Sequence, residues 1–367
     1  VEIDDPNLQF SGNGFVDLRE GKSIIKVQAS LDTAYLHNLK LTRDRVFLHT
    51  DLNADIKGLS LDSLIGTADF KNFRIDYNDK SLSLESISLN SQHRLNSRRF
   101  LLETSLADLE VTGDYYFSDL YTDLQMLSTE ISLNLENDKR KTEYYYENKT
   151  YKPKDYQAQV LIKVKDLDPL VPLLGVSLNL SPNIRIEGNF TSGNTTIFQA
   201  FTNFDSLQFE NTLFVGNEIE LTASKISDST SVLAMASLNS KNQSIGPHLK
   251  TSNLLAEGIW NKSHIDFGLA ADQANQSNNV RLKGMVDFMA DSTMITMAPS
   301  TLKLLEREWS FREGNYVKVK NSGWRFHELA LVNDEQSISV DGIVSENPAH
   351  MLSLDVHALD LSLLNVL

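Results

Sequence analysis

The chain has no cysteine, which excludes disulfides, thiol nucleophiles and thiolate metal sites but leaves the redox compartment open. It has no apolar run long enough for a membrane helix and no secretory leader pattern. Because it begins at Val1 and closes on an apolar run, it reads as a segment of a longer protein, so missing targeting signals carry no weight. Positive charge is in deficit: 34 Lys and Arg stand against 49 Asp and Glu, with a net charge of -15 and a pI of about 5.0. That balance argues against nucleic acid as a partner, since phosphates need a basic face. Phosphate loops, dinucleotide fingerprints and Gly-x-Ser-x-Gly elbows are absent. His37, His49, His93, His248, His264, His327, His350 and His357 are scattered, and none has a second His or a carboxylate at zinc-protease spacing. No catalytic residue, metal site or cofactor is expected, and the chain does not read as an enzyme. Paired acids for glycoside chemistry are not excluded by spacing, but nothing supports them.

What is present is alternation. Its 367 residues suffice by length for two ordinary domains, and a hydrophobic fraction of 41% is ample to bury apolar surface. At the C-terminal end, Ile338 and Val340 alternate with Ser337, Ser339 and Asp341. Gly342 sits where a bulge would, Glu346-Asn347-Pro348 is a turn signal, and Leu352, Leu354 and Val356 alternate with Ser353, Asp355 and His357. Leu359-Asp360 then leads to Leu361, Leu364 and Leu367 at helical spacing. The unit is strand, turn, strand, Leu-Asp, short apolar helix. Similar units occur at Gly14 to Leu39, around Leu31-Asp32, and at Val160 to Leu174, around Leu167-Asp168-Pro169. Leu-Asp pairs are common, and the irregular spacing excludes a short-period solenoid.

Val1 to Gly12 reads as a polar lead-in, and Leu61, Leu64 and Ile65 as a helical turn stopped by Gly66. Leu82, Leu84, Ile87 and Leu89 read as a strand with a phase shift at Glu85-Ser86. Leu109 and Val111 mark another. Leu120, Leu124, Leu127, Ile131 and Leu135 predict one long amphipathic helix over 118–136 behind Ser118 as N-cap; Ile131, Leu133 and Leu135 also fit a strand. Residues 137–155, with Lys139-Arg140-Lys141 and Tyr144-Tyr145-Tyr146, read as a solvated charged loop rather than a single-strand nucleic-acid contact. Beyond it, strands carry Val160, Ile162 and Val164; Ile184 and Ile186; Ile219 and Leu221; Ile265 and Phe267; Leu282; and Val317 and Val319. Seven Asn-x-Ser/Thr sequons (Asn148, Asn179, Asn189, Asn194, Asn242, Asn261 and Asn275) are what chance gives in so Asn- and Ser-rich a chain.

The expected fold is all-β: roughly two dozen strands in a long antiparallel meander, split into 1–136 and 156–367 by the loop at 137–155. Since no helices alternate with strands, a parallel sheet is excluded. An apolar face of that extent must be covered. One solution is a sheet curled into a half-pipe around an apolar ligand, on the order of 100 Å long at about 4.8 Å per strand. The alternating residues named above, from Leu82 and Leu84 to Leu352, Leu354 and Val356, would then line a lipid groove.

Several runs carry a resemblance: Gly323-Trp324, Leu329 to Asp334, Ile338 to Ser345, Leu354 to Leu364, Ser60 to Gly66 and Gly113 to Leu120. They resemble the TamB branch of the AsmA-like family as found in Bacteroidota-type bacteria. The resemblance implies a β-taco groove in the periplasm, anchored to the inner membrane by a segment outside this chain. It implies phospholipid acyl chains as ligand, transfer between inner and outer membranes, and support of outer-membrane protein assembly. It also implies an outer-membrane BamA/TamA-type barrel as partner through regions not present here. The alternative is a non-transporting β-scaffold or adhesin, either a β-solenoid or stacked sandwiches.

Overall fold

A computed structural model describes residues 1–19, 23–95, 97–171, 177–247, 249–274, 276–304, 307–334 and 336–359. Among them the chain is all-β: 24 strands in one long antiparallel meander sheet, with two α-helices. In chain order the first strands are β1 (Glu2–Asp5), β2 (Leu8–Asp17), β3 (Ile24–Tyr35), β4 (Val46–Lys57), β5 (Ile65–Tyr77), β6 (Lys80–Arg94), β7 (Ser97–Thr104) and β8 (Ala107–Gly113). Helices α1 (Phe117–Glu136) and α2 (Lys139–Asn148) follow, then β9 (Tyr156–Val164), β10 (Leu178–Leu180), β11 (Ile184–Ser192) and β12 (Thr195–Phe209). The remainder is β13 (Thr212–Ile226), β14 (Val232–Ile245), β15 (Leu249–Asn261), β16 (His264–Gln273), β17 (Asn279–Met289), β18 (Ser292–Met297), β19 (Thr301–Leu304), β20 (Arg307–Phe311), β21 (Tyr316–Lys320), β22 (Gly323–Asn333), β23 (Gln336–Val344) and β24 (Leu352–His357).

The chain forms two compact units. The first comprises Val1–Leu124, Pro153–Gly193 and Ala200–Glu210; the second comprises Gln125–Lys152, Asn194–Gln199 and Asn211–Leu367. Strand β9 pairs with β8 and β11 with β9, so both strands belong to the first unit. In that unit each strand from β1 to β9 pairs with the next, and β9 pairs with β11. In the second unit β13 to β17 form a meander. There the ladder divides: β17 pairs with both β18 and β19, these pair with β21 and β20, and both of those pair with β22. Strands β23 and β24 complete it.

Bulges keep the apolar residues in phase. Asn72, with φ of 52°, is the extra residue that shifts β5 against β4 between His49 and Asp51. Asn tolerates this left-handed conformation better than branched residues. Phe70 and Phe73, three apart, thereby share a face. Across the next ladder Glu85 and Ser86 are both exposed, so phase changes there as the sequence indicates, yet the β5–β6 register is unbroken. Gly342, expected as a bulge, is paired in register with Leu352; the extra residue lies instead in β22 at Glu328, φ 45°. The Glu328 amide donates to the Asp341 carboxylate at 3.0 Å, which holds the kink.

Other expectations are corrected. Residues 1–12 hold β1 and the start of β2, because main-chain pairing needs no apolar side chain. Leu31-Asp32 lies inside β3, and Ile65 and Gly66 begin β5 rather than ending a helix. Leu167-Asp168 does precede a short 3-10 turn, Asp168–Leu170, whereas the helix expected at 361–367 lies outside the described residues. The segment 137–155 is no loop throughout: α2 occupies its first half, capped by Asp138, whose carboxylate accepts from the Arg140 and Lys141 amides. The predicted long helix is α1, but its N-terminal amides are capped from a distance. The amides of Phe117 and Ser118 donate to Asp62 Oδ1 at 2.5 and 3.3 Å, which places a carboxylate at the positive end of the helix.

Candidate functional site

The pairing registers assemble the alternating residues into rows across each unit. In the first unit one row runs Gly14, Val27, Ala54, Ala68, Leu89, Leu102, Leu109, Ile162, Ile186, from β2 to β11 without a polar residue. The row one residue away runs Asn13, Gln28, Asn53, Asp69, Ser88, Glu103, Asp108, Lys163, Arg185, and every member is polar. Successive residues in a strand point to opposite faces, so the sheet has one apolar face and one mainly polar face over nine strands, the latter with Phe15, Leu101 and Leu161 in the neighbouring row.

In the second unit the row Ala223, Ala234, Trp260, Ile265, Val286, Ile295, Val317, Phe326, Gly342, Leu352 crosses ten strands and is also free of polar residues. A second row, Ile219, Leu238, Ala256, Leu269, Leu282, lies beside it. The opposite face is mixed here: Ser224, Leu233, Asn261, His264, Asp287, Met294, Lys318, Arg325 and Ile343 alternate in character. Gly284 sits in the apolar rows because a side chain there would meet the Phe267 ring tip at 2.5 Å.

All of the sequence-predicted groove residues fall on these two apolar faces. Leu82, Leu84, Leu109, Val111, Val160, Ile162, Val164, Ile184 and Ile186 lie on the first. Ile219, Leu221, Ile265, Phe267, Leu282, Val317, Val319, Ile338, Val340, Leu352, Leu354 and Val356 lie on the second. Leu84, Val111, Val164 and Ile184 are buried, whereas Ile219, Leu352, Leu354 and Val356 are exposed, Leu354 by 64%. Row members that the reading left out, among them Ala54, Phe70, Leu102, Trp260, Val286 and Phe326, were visible as alternation but not as partners.

These faces are not covered as a sandwich would cover them. Among the described residues nineteen hydrophobic side chains are buried, fewer than one for each of 24 strands. A sandwiched strand buries about two or three. The accessible surface is 22735 Å² for 41.3 kDa. Two separate compact bodies of half that mass would together expose about 17,800 Å². The surface thus exceeds that of two such compact bodies.

Buried side chains cluster around the two helices. In the first unit the wholly buried Tyr115 ring packs edge-on against Phe117, and Phe117 against Phe100, both at 5.1 Å. Burial pushes the Tyr115 hydroxyl well above its ordinary range. The buried Asp123 carboxylate accepts from Tyr156 and Ser192 at 2.8 and 2.6 Å. In the second unit Glu130 of α1 accepts from Lys149 and Lys225 at 2.8 and 3.0 Å, and the Tyr145 hydroxyl donates to it at 3.2 Å. Both lysine ammoniums lie over the Tyr146 ring. Burial pushes Lys225 down against the opposing pull of Glu130, and burial raises Tyr145 to about 12. This cluster ties α1 and α2 to the β13–β14 turn.

On the mixed face, His264 Nδ1 stands 2.8 Å from Asp287 and Nε2 stands 3.1 Å from Asp266. The bond to Asp287 outweighs burial and, with Asp266, holds the imidazole pKa above its ordinary 6.5. A raised histidine stabilises the fold below about pH 6.5, and the gain is lost as pH rises through the folded value. A proton-detected titration should place His264 above 6.5, and stability should fall from pH 6 to 8 in the native protein but not in His264→Gln. A titration at or below 6.5 would remove this pair from the account. Among the described residues no cluster of His, Asp and Glu could hold a metal ion, and no helix is long and apolar enough to cross a membrane.

Comparison with protein-family models, with curated proteins and with solved structures finds no match.

Proposed function

We propose that the chain holds hydrocarbon chains of phospholipid along its two apolar sheet faces. In this reading it serves as a lipid-carrying segment of a bacterial envelope bridge that moves phospholipid between inner and outer membranes. The observation that carries the reading is the unbroken apolar row of nine residues in the first unit, with an all-polar row on its reverse. Eight strand spacings of about 4.8 Å make it about 38 Å long, more than one leaflet's share of an approximately 30 Å hydrocarbon core. An acyl chain lying across the strands meets apolar side chains throughout, and each buried CH₂ contributes about 0.8 kcal/mol. Apart from Gly14, Ala54 and Ala68 the row's side chains are half-buried, and apolar patches of such extent that keep accessible surface mark an interaction site. Support of outer-membrane protein assembly and a BamA/TamA-type barrel partner belong to the same proposal, through the sequence resemblance.

The test is organic extraction of the protein purified without detergent, followed by mass spectrometry. Diacyl phospholipid at about one molecule or more per chain is the expected result. Its absence, with the protein folded, would favour a β-scaffold that transports nothing.

A further inference from the structure

A polar cleft of about 420 Å³ opens in the second unit between the helix pair and the turns that follow β13 and β15. Its walls carry two ammonium groups, Lys139 and Lys262, and four hydroxyls, Thr142, Thr230, Ser231 and Ser263, against one carboxylate, Glu143; the Thr142 hydroxyl donates to the Asp138 carbonyl at 2.8 Å. Among the described residues neither lysine makes an ion pair and the hydroxyls of Thr230, Ser231 and Ser263 have no partner, although Lys141, two residues from Lys139, is paired with Glu136 at 2.6 Å. The walls are fixed: Asn134 donates to the Thr230 carbonyl at 2.8 Å and Asn137 to the Phe288 carbonyl at 2.5 Å.

Two features single this cleft out. The chain carries a net charge of -15, yet two free cations meet here. Lys139 is also the first residue of α2, where the helix field disfavours a cation; Asp138 already satisfies the amides of that end. A ligand of negative charge beside it would offset that field. Uncommitted ammoniums and hydroxyls in a fixed concavity suit a phosphate group, as charge-assisted hydrogen bonds are the strong ones. The cleft also adjoins the apolar face. Trp260 belongs to the apolar row and its indole donates to the carbonyl of Lys262, the first residue after β15, at 2.6 Å.

We propose that this cleft recognises the phosphate of a phospholipid headgroup, while the acyl chains lie on the apolar face beside Trp260. The proposal rests on the lipid reading above and adds the headgroup's place and chemistry. Calorimetric titration of the full chain with three probes separates the two: short-chain phosphatidylglycerol, the diacylglycerol of the same chains, and inorganic phosphate. The phospholipid should bind about tenfold or more tightly than the diacylglycerol. The exposed double variant K139Q/K262Q should erase that difference and leave diacylglycerol binding unchanged. Equal affinity for the two lipids in the native protein, or an advantage that survives K139Q/K262Q, would overturn the headgroup site while leaving the apolar face intact. Phosphate binding lost in K139Q/K262Q, with no binding of either lipid, would make the cleft a free-phosphate site and sink the lipid reading. Silence from all three probes would sink both.

Discussion

Glu130→Ala should lower the stability of the second unit by about 3–5 kcal/mol, the cost of leaving buried charge uncompensated. Glu130 is 3% exposed, as is Lys225, and Lys149 only 10%. Without the carboxylate, two ammoniums face each other in a site that already pushes Lys225 down by burial. Carbonyls alone would then hold them: Lys225 donates to Ile226 and Ser229, and Lys149 to Ser227. Glu130→Gln keeps the shape and loses the charge, so a smaller loss is expected. The triple change E130L/K149M/K225M should recover most of the loss, since packed apolar residues often replace a buried ion cluster at little cost. Denaturant unfolding measures the totals. Hydrogen exchange should locate the loosening at 125–152 and the β13–β14 turn. A loss below about 1 kcal/mol for Glu130→Ala would show the cluster to be solvated and the helices held by other contacts.

A charge placed on the apolar face should cut lipid loading far more than it harms folding. Val340 faces Leu329 on one side and Leu354 on the other. An arginine there sits where acyl chains are proposed to lie, at a cost of roughly 3 kcal/mol by analogy with a bilayer centre. Leu354 is exposed, so the long side chain can turn its head outward when no lipid is bound, and the fold should survive. Ser339 lies on the other face, opposite Ala330 and Asp355, and Ser339→Arg gains an acidic neighbour. Val340→Arg should therefore reduce recovered lipid severalfold or more at near-normal stability, and Ser339→Arg should be close to silent. Equal loss from both variants would mean that the effect is on folding rather than on the face.

Strand existence and facing were legible because each depends on a period-two pattern within one strand, as in Val160, Ile162 and Val164. Register was not. Leu109 meets Ile162 across an intervening stretch that holds both helices, and nothing local to either residue specifies that meeting. The phase breaks were half legible: Asn72 and Glu328 carry the kinks, while the more permissive Gly342 stays in register. α2 was misread because its residues are charged and aromatic rather than periodic, and no residue of it is buried. The signal lay in the cap, Asp138, one residue before the helix. The Asp62 cap on α1 and the pairing of Glu130 with Lys149 and Lys225 join residues 19 to 95 positions apart, a distance over which composition and spacing say nothing.

The central claim is that one face of the sheet carries acyl chains and the other does not. Photo-activatable residues at Ile162 and Val340, and at their strand neighbours Lys163 and Ser339, test it in both units at once. In cells, crosslinking should attach phospholipid at Ile162 and Val340 and leave Lys163 and Ser339 unlabelled. Equal labelling of both members of each pair, or no lipid at any of the four positions, would contradict the account.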